Sequence, residues 1–326
     1  MASVSLKGRQ LFSVKDDKSN GFVQFFPTWR KVVFDRRIAG GNKMGAQGPG
    51  NGSASRVNKG TAVITGASSG LGAVFADRLA SRGFDLTLVA RRKDRLIDLE
   101  KQFKSKYGVS IKLIVADLTA EADLDSLIEI LRHDTGITML VNNAGAAAMK
   151  TIVSISTSEI DRLIDLNIRA LTRLTSTVLP GFKERDLGTI VNIGSSLSFY
   201  TPPNTGVYSA TKAYVMNYTF GLQQELAGTK VVAHLVMPAK TATEIWELTG
   251  VPLSSLNQET VMSAEDCVDA ALAGLDQGES GTLPSVEDYN LWAQFEEIRK
   301  RLYSASQTGR PASRYHIGFT ESHNSK

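Results

Sequence analysis

Cysteine is all but missing from this chain: Cys267 stands alone among 326 residues. A single thiol excludes an internal disulfide framework and fits a reducing compartment. Histidine is almost as scarce. His133, His234, His316 and His323 lie far apart, form no metal-ligand spacing, and give no reason to expect a metal centre. No apolar run reaches the ~18 residues that a membrane-spanning helix needs, so no transmembrane segment is expected. The remainder, 42% hydrophobic and 21% charged, is the composition of a soluble globular protein.

The body of the chain also lacks a basic excess. The formal net charge is +4, yet residues 1–60 hold 11 of the 37 Lys and Arg and only 3 of the 33 Asp and Glu. That leaves 26 basic and 30 acidic residues in 61–326. A nucleic-acid binder should carry its own basic face, so no nucleic-acid partner is expected. The N-terminal segment is read separately. Its stretch FVQFFPTWRKVVFDRR is aromatic and basic, as a targeting or membrane-surface segment would be, but Asp16, Asp17 and Asp35 are unwelcome in a transit peptide and Pro27 interrupts a helix. A disordered tail, or a chain whose real start is Met44, is the preferred reading. Residues 40–60 are rich in Gly, Ser and Asn and read as a linker. The expected location is cytoplasmic, with the extension leaving organelle targeting or membrane-surface association open.

From Thr61 the pattern changes. Short β-branched apolar runs recur at 61–65, 85–90, 111–116, 137–142, 188–193 and 230–236. Such runs read as strands buried on both faces. Helical spacing lies between them. Residues 71–82 put Leu71, Val74, Phe75 and Leu79 on one face before Gly83, and 121–132 and 158–179 are similar. This alternation means βαβ units and an α/β fold with a parallel sheet.

The first strand runs into TGASSGLG, Thr65 to Gly72, with glycines at 66, 70 and 72. At the first strand-to-helix junction, glycines let a pyrophosphate approach a helix N-terminus. Ser68 and Ser69 offer hydroxyls to a phosphate or a cap to the helix. The second strand ends in Arg91 and Arg92, with no carboxylate until Asp94. Guanidiniums there suit the 2′-phosphate of NADP(H) better than the 2′-hydroxyl of NAD. Arg91, directly after the strand, is the stronger candidate.

TGASSGLG (65–72), NNAG (142–145), Asn167 in LNIRA, Ser195 in NIGSS and Y-x-x-x-K at 208–212 together resemble the short-chain dehydrogenase/reductase family, in the family's order and over about residues 61–285. The resemblance implies a Rossmann-type, doubly wound parallel sheet of about seven strands flanked by helices, an NADP(H) cofactor, and a carbonyl or alcohol substrate. It implies that Tyr208 is the catalytic acid/base, that Lys212 binds the nicotinamide ribose and lowers the tyrosine pKa, that Ser195 holds the substrate oxygen, with Ser196 the lesser candidate, and that Asn167 holds a water of the proton relay. It assigns cofactor contacts to Gly66, Ser68, Ser69, Gly70, Leu71, Gly72, Arg91, Arg92, Asp117, Asn143, Ala144, Gly145, Tyr208, Lys212, Pro238 and Thr241, with Thr243 an alternative to Thr241. Where the family usually has Pro-Gly after strand six, this chain has Pro238-Ala239. A homodimer or homotetramer through helices four and five is implied as well.

The Tyr–Lys spacing has its own chemistry. Reducing a ketone by hydride transfer creates an alkoxide that needs a proton. A free tyrosine, with a pKa of about 10, exchanges protons poorly near neutral pH. An ammonium within ~4–6 Å favours the phenolate, and positions i and i+4 of a helix share a face. G-S-S at 194–196 lacks the G-x-S-x-G of a hydrolase elbow. His234, inside an apolar strand, reads as a core or sheet-end histidine.

After strand six, residues 241–262 supply Ile245, Trp246, Leu248, Val251 and Leu253, as a cover over the substrate or a helix packed on the body. Nothing basic there asks for an acidic or CoA-linked substrate. Residues 286–326 are expected to form a C-terminal helix and tail, with Leu291, Phe295, Ile298 and Leu302 at helical spacing. The competing readings are an NADP-binding regulatory protein without turnover, which should lack the tyrosine or the lysine, and an epimerase or dehydratase, for whose larger substrate domain the chain after strand six has no evident room.

Overall fold

The computed structural model describes residues 58–316, which belong to one structural unit. The expectations for the N-terminal extension before Asn58 lie outside the described residues.

The alternation read from the sequence is observed. It begins β1 (Thr61–Thr65), α1 (Gly70–Ser81), β2 (Asp85–Ala90), α2 (Lys93–Tyr107), β3 (Ile111–Val115), α3 (Glu121–His133) and β4 (Ile137–Asn142). It continues through α4 (Thr157–Ile164), a π-helical turn (Asp165–Ala170), α5 (Leu171–Arg185), β5 (Gly188–Ile193), α6 (Gly206–Glu225) and β6 (Val231–Val236). Then come α7 (Ile245–Thr249), α8 (Ala264–Gln277), β7 (Gly281–Thr282) and α9 (Asn290–Ser306). The strand β7 has only 2 residues, too few for a periodicity signal. The helix expected over 158–179 is longer and is interrupted by the π turn. A capping box sets its start: the Ser156 hydroxyl accepts from the Glu159 amide at 3.3 Å, and the Glu159 carboxylate accepts from the Ser156 amide at 3.1 Å.

The seven strands lie in the order β3-β2-β1-β4-β5-β6-β7, all pairs parallel. The chain winds outward from β1 to β3, then returns to place β4 on the other side of β1. That reversal opens a crevice at the carboxyl ends of β1 and β4, where open α/β sheets bind ligands.

One face of the sheet is covered by α1, α2 and α8 through Phe75, Leu79, Leu96, Phe103 and Val268. The other is covered by α3, α5 and α6 through Leu124, Leu127, Leu174, Phe182 and Leu222. Burial on both sides explains why Ala62, Val63 and Ile64 run as an unbroken apolar triplet. Of the predicted α1 face, Phe75 and Leu79 are in the core and Leu71 and Val74 pack on it half-buried.

Polar side chains pin the strand ends that face the crevice. Asn142 and Asn192 are register partners on β4 and β5. The Asn142 amide donates to Asn192 Oδ1 and to Thr175 Oγ1 of α5, each at 2.9 Å, and the Asn192 amide donates to Thr219 Oγ1 of α6 at 3.0 Å. A buried network of this kind locks the relative position of two strands and two helices.

Candidate active site

Loops at the carboxyl ends of β1 to β6 enclose a cavity of about 760 Å³. At one end lies the turn after β1. Gly66 and Gly70 adopt φ of +66° and +52°, which only glycine tolerates readily, and a Cβ on Gly72 would stand 2.3 Å from the Gly66 carbonyl oxygen. Asn143 clamps this turn from the end of β4: its amide donates to the Thr65 carbonyl at 2.8 Å and more weakly to that of Gly66 at 3.3 Å. Asn143 thus shapes the cradle. Thr65, which no motif in the sequence marks as a site residue, receives the amides of Asn143 and Ala144 on its hydroxyl, at 3.1 and 3.0 Å.

The two arginines after β2 have different surroundings. Arg92 donates to the Ser69 hydroxyl at 2.6 Å and to that of Ser68 at 3.1 Å, so it sits on the glycine turn itself. Arg91 lies 3.6 Å from the Asp117 carboxylate on the neighbouring loop. Arg92, rather than Arg91, is therefore the arginine that touches the turn. A residue's place after a strand does not say where a long flexible side chain ends. Ser69 stands at the start of α1 without capping it through its side chain. Both hydroxyls serve the guanidinium. Asp117 also accepts from the Thr119 amide and hydroxyl, at 3.0 and 2.8 Å.

At the other end of the cavity the residues expected to be catalytic converge. The Tyr208 phenol, on the first turn of α6, and Ser195, from the loop after β5, line the same end of the cavity, and the Ser195 hydroxyl favours the charged form of the phenol. The neighbouring Ser196 donates its amide to the Pro238 carbonyl at 2.9 Å. One turn along α6, Lys212 donates from Nζ to the Ile193 carbonyl at 2.8 Å and lies 5.9 Å from the Tyr208 ring centre. Asn167, in the π turn, accepts from the Ala146 amide at 2.8 Å and donates to the Ala146 carbonyl and to Thr211 Oγ1, each at 2.9 Å. It ties the end of β4 to α6 and keeps one carbonyl lone pair unused by these bonds. The π turn is what aims it inward, and such turns recur at functional sites.

Burial governs the electrostatics of this corner. Burial pushes the Tyr208 phenol up to about 12, and the Ser195 hydroxyl only partly opposes this. Burial also pulls Lys212 down to about 8. The dominant force at this corner is loss of solvent, which disfavours phenolate and ammonium alike.

The loop after β6 closes the cavity. Ala239 is outside the left-handed region, so Ala is accommodated where the family usually has Gly. Thr243 faces the glycine turn, its methyl 3.1 Å from where a Gly70 Cβ would be, while Thr241 is buried and its carbonyl accepts from Trp246 Nε1 at 2.8 Å. Ile245, Trp246 and Leu248 line the cavity as a cover, whereas Val251 and Leu253 are not among its lining residues. Glu244, unmarked in the sequence reading, bonds both Arg92 and Arg95.

His234 is buried and hydrogen-bonded to the Glu279 carbonyl at 3.2 Å and to Thr282 Oγ1 at 3.3 Å, away from the cavity, as a sheet-end histidine. Pro238, Gly145 and Ala144 all line the cavity. Among the described residues, no helix is long and apolar enough to cross a membrane.

Comparison with known proteins agrees with this geometry. Residues 60–250 match the family model described as short chain dehydrogenase. The very-long-chain 3-oxoacyl-CoA reductase of Anas platyrhynchos is 33% identical over 227 residues, covering 68% of this chain and 72% of that protein. A short-chain dehydrogenase from Sphingobium yanoikuyae, solved in complex with NADPH, is 41% identical with a TM-score of 0.76, covering 78% of this chain and 99% of that one. The bulky-bulky ketone specific alcohol dehydrogenase from Comamonas testosteroni is 38% identical with a TM-score of 0.73, covering 80% and 100%.

Proposed function

The chain belongs to the short-chain dehydrogenase family and is an oxidoreductase, and from that premise we propose that it moves hydride between NADP(H) and a carbonyl or alcohol held by Ser195 and Tyr208. The observation that carries this reading is one cavity with a glycine cradle and Arg92 at one end and the Ser195–Tyr208–Lys212 corner at the other. The cradle fits the group: the backbone approach at Gly66 and Gly72 admits a pyrophosphate, and Arg91 and Arg92 suit a 2′-phosphate. NADPH, when bound, supplies the hydride.

The residues of this chain do the rest. Tyr208, kept protonated by burial, holds the proton that a forming alkoxide takes up. Ser195 holds the reacting oxygen beside the phenol. Lys212, with one donor on Ile193, directs its remaining donors into the site, and its charge eases departure of the tyrosine proton. Asn167 offers its spare lone pair to the path that returns the proton from outside. All four residues are retained, which favours catalysis over cofactor sensing without turnover.

The substrate we propose is a carbonyl compound with a sizeable apolar substituent. The names of two relatives specify very-long-chain 3-oxoacyl-CoA and bulky-bulky ketones. The substrate end here is lined by Ala147, Met149, Leu197, Pro202 and Trp246. A homodimer or homotetramer in the cytoplasm completes the proposal, supported by the apolar Ile164 and Tyr214 left exposed on α4 and α6 and by the lone, buried Cys267.

The test is a panel of ketones of graded bulk, followed through NADPH absorbance, with the full chain and with Tyr208→Phe. The variant should lose ~10²–10⁴-fold in kcat while binding NADPH nearly as before. Activity within a few-fold of the original would overturn the role of Tyr208. Failure to bind NADPH in a titration would overturn the cofactor.

A further inference from the structure

Glu244 lies in the loop after β6, directly before α7, and reaches across the cleft to the start of α2. Its Oε2 accepts from Arg92 at 2.7 Å and its Oε1 accepts from Arg95. Arg92 is at the same time bonded to Ser68 and Ser69 of the glycine cradle. The carboxylate therefore occupies the guanidinium that stands nearest the cradle. The loop it belongs to is tied behind Glu244 by the Ala242 amide, which donates to the Met262 carbonyl at 2.8 Å, and by Trp246, which donates to the Thr241 carbonyl; towards the cradle, the methyl of Thr243 approaches Gly70. α7 has no buried residue.

A carboxylate and a phosphate are recognised by the same guanidinium fork. One fork cannot give its best two-pronged geometry to both, and two anions brought together on it repel. The two arginines hold the Glu244 carboxyl well below the ordinary carboxylate range, Arg95 first and Arg92 second, so it is anionic at any working pH.

We propose that Glu244 is a latch that sets cofactor preference: it competes with the 2′-phosphate for Arg92 and Arg95, so that binding of the phosphate releases the α7 cover from the cradle. The proposal rests on the NADP(H) reading above and adds a specificity residue to it. The consequence is reciprocal. If the carboxylate opposes the phosphate, the phosphate opposes the carboxylate's contact by the same factor. Cofactor choice and the position of the substrate cover are then coupled through one side chain, and a cofactor lacking the 2′-phosphate leaves the latch closed.

The experiment uses adenosine 2′,5′-bisphosphate and 5′-ADP, which differ in the 2′-phosphate and lack the nicotinamide half that would itself touch the loop. Each is titrated at one fixed salt concentration into the full chain and into Glu244→Gln. The substitution should tighten the 2′,5′-bisphosphate at least about fivefold, at the lower end of typical coupling factors, and change 5′-ADP much less. In the unsubstituted chain, amide exchange across Glu244–Thr249 should quicken with the 2′,5′-bisphosphate and not with 5′-ADP. If Glu244→Gln weakens or leaves unchanged the 2′,5′-bisphosphate, or if the segment becomes protected by it, the latch is overturned while the NADP(H) reading stands. If the unsubstituted chain shows no preference for the 2′-phosphate and Glu244→Gln creates none, both fall. Because Glu244 is about half exposed, the variant is expected to fold, and the exchange measurement needs no variant.

Discussion

Lys212 and Tyr208 share a buried corner, and burial sets the chemistry of each. The lysine, moved from 10.5 to about 8, binds fewer protons when folded than when unfolded across that window. Stability should therefore rise with pH from about 8 to 10.5, since the unfolded chain binds the extra proton there. Below about 8 the full cost of burying the ammonium is present, on the order of 3 kcal/mol at most. The variant Lys212→Met should be more stable than the original chain near neutral pH, and its advantage should shrink through this window. Urea unfolding of both at several pH values checks this, and a pH-independent difference would contradict it. The tyrosine runs the other way. Its pKa is raised from 10.0 to about 12, so its contribution to stability falls above pH 10, and the readings are best confined below that.

Among the elements, the π turn and α9 do what a simple helix count would not suggest. The turn at Asp165–Ala170 carries Asn167 inward, and Asn167 joins the end of β4 to α6. In α9 the predicted stripe of Leu291, Phe295, Ile298 and Leu302 is not the face that packs. Trp292 is, with Phe295 beside it, whereas Leu291, Ile298 and Leu302 are exposed. Trp292 meets Phe220 at 5.8 Å and Phe295 at 5.2 Å between ring centres, and its Nε1 donates to Ser280 Oγ at 3.2 Å. It thus anchors α9 against the edge of the sheet at β6 and β7. Trp292→Ala should cost about 3–5 kcal/mol by equilibrium unfolding, as buried aromatic truncations do. A loss under about 1 kcal/mol would mean that α9 is held by something other than this ring.

At the scale of the whole molecule, the described core, the cavity and all four proposed catalytic residues lie between Asn58 and His316. Asn58 belongs to this body: its side-chain Nδ2 donates to Asp85 at 2.8 Å and its side-chain Oδ1 accepts from the Gly60 amide at 2.7 Å. A chain beginning at Asn58 should therefore fold and turn over ketones as the full chain does. Circular dichroism and the NADPH assay check this, and loss of either would show that residues 1–57 contribute to the enzyme.

The sequence by itself determined the order of strands and helices, the position of the glycine cradle and the pairing of Tyr208 with Lys212. These are local: they depend on a period of apolar residues, on glycines next to one another, and on a spacing of one helical turn. Ser195 and Asn167 were legible only through the resemblance to the family, carried by the short motifs in which they stand. Only the tertiary structure decided the rest. The strand β7 exists because β6 offers it an edge, and nothing in two residues announces it. Arg92 rather than Arg91 reaches Ser68 and Ser69 because of how α2 starts beside the turn, which no linear count contains. Glu244 meets Arg92 from 152 residues away. The protonation of the corner was the least legible of all. Spacing brings an ammonium near a phenol, but how far each shifts depends on how much water the other loops exclude, and exclusion is a property of the assembled cleft.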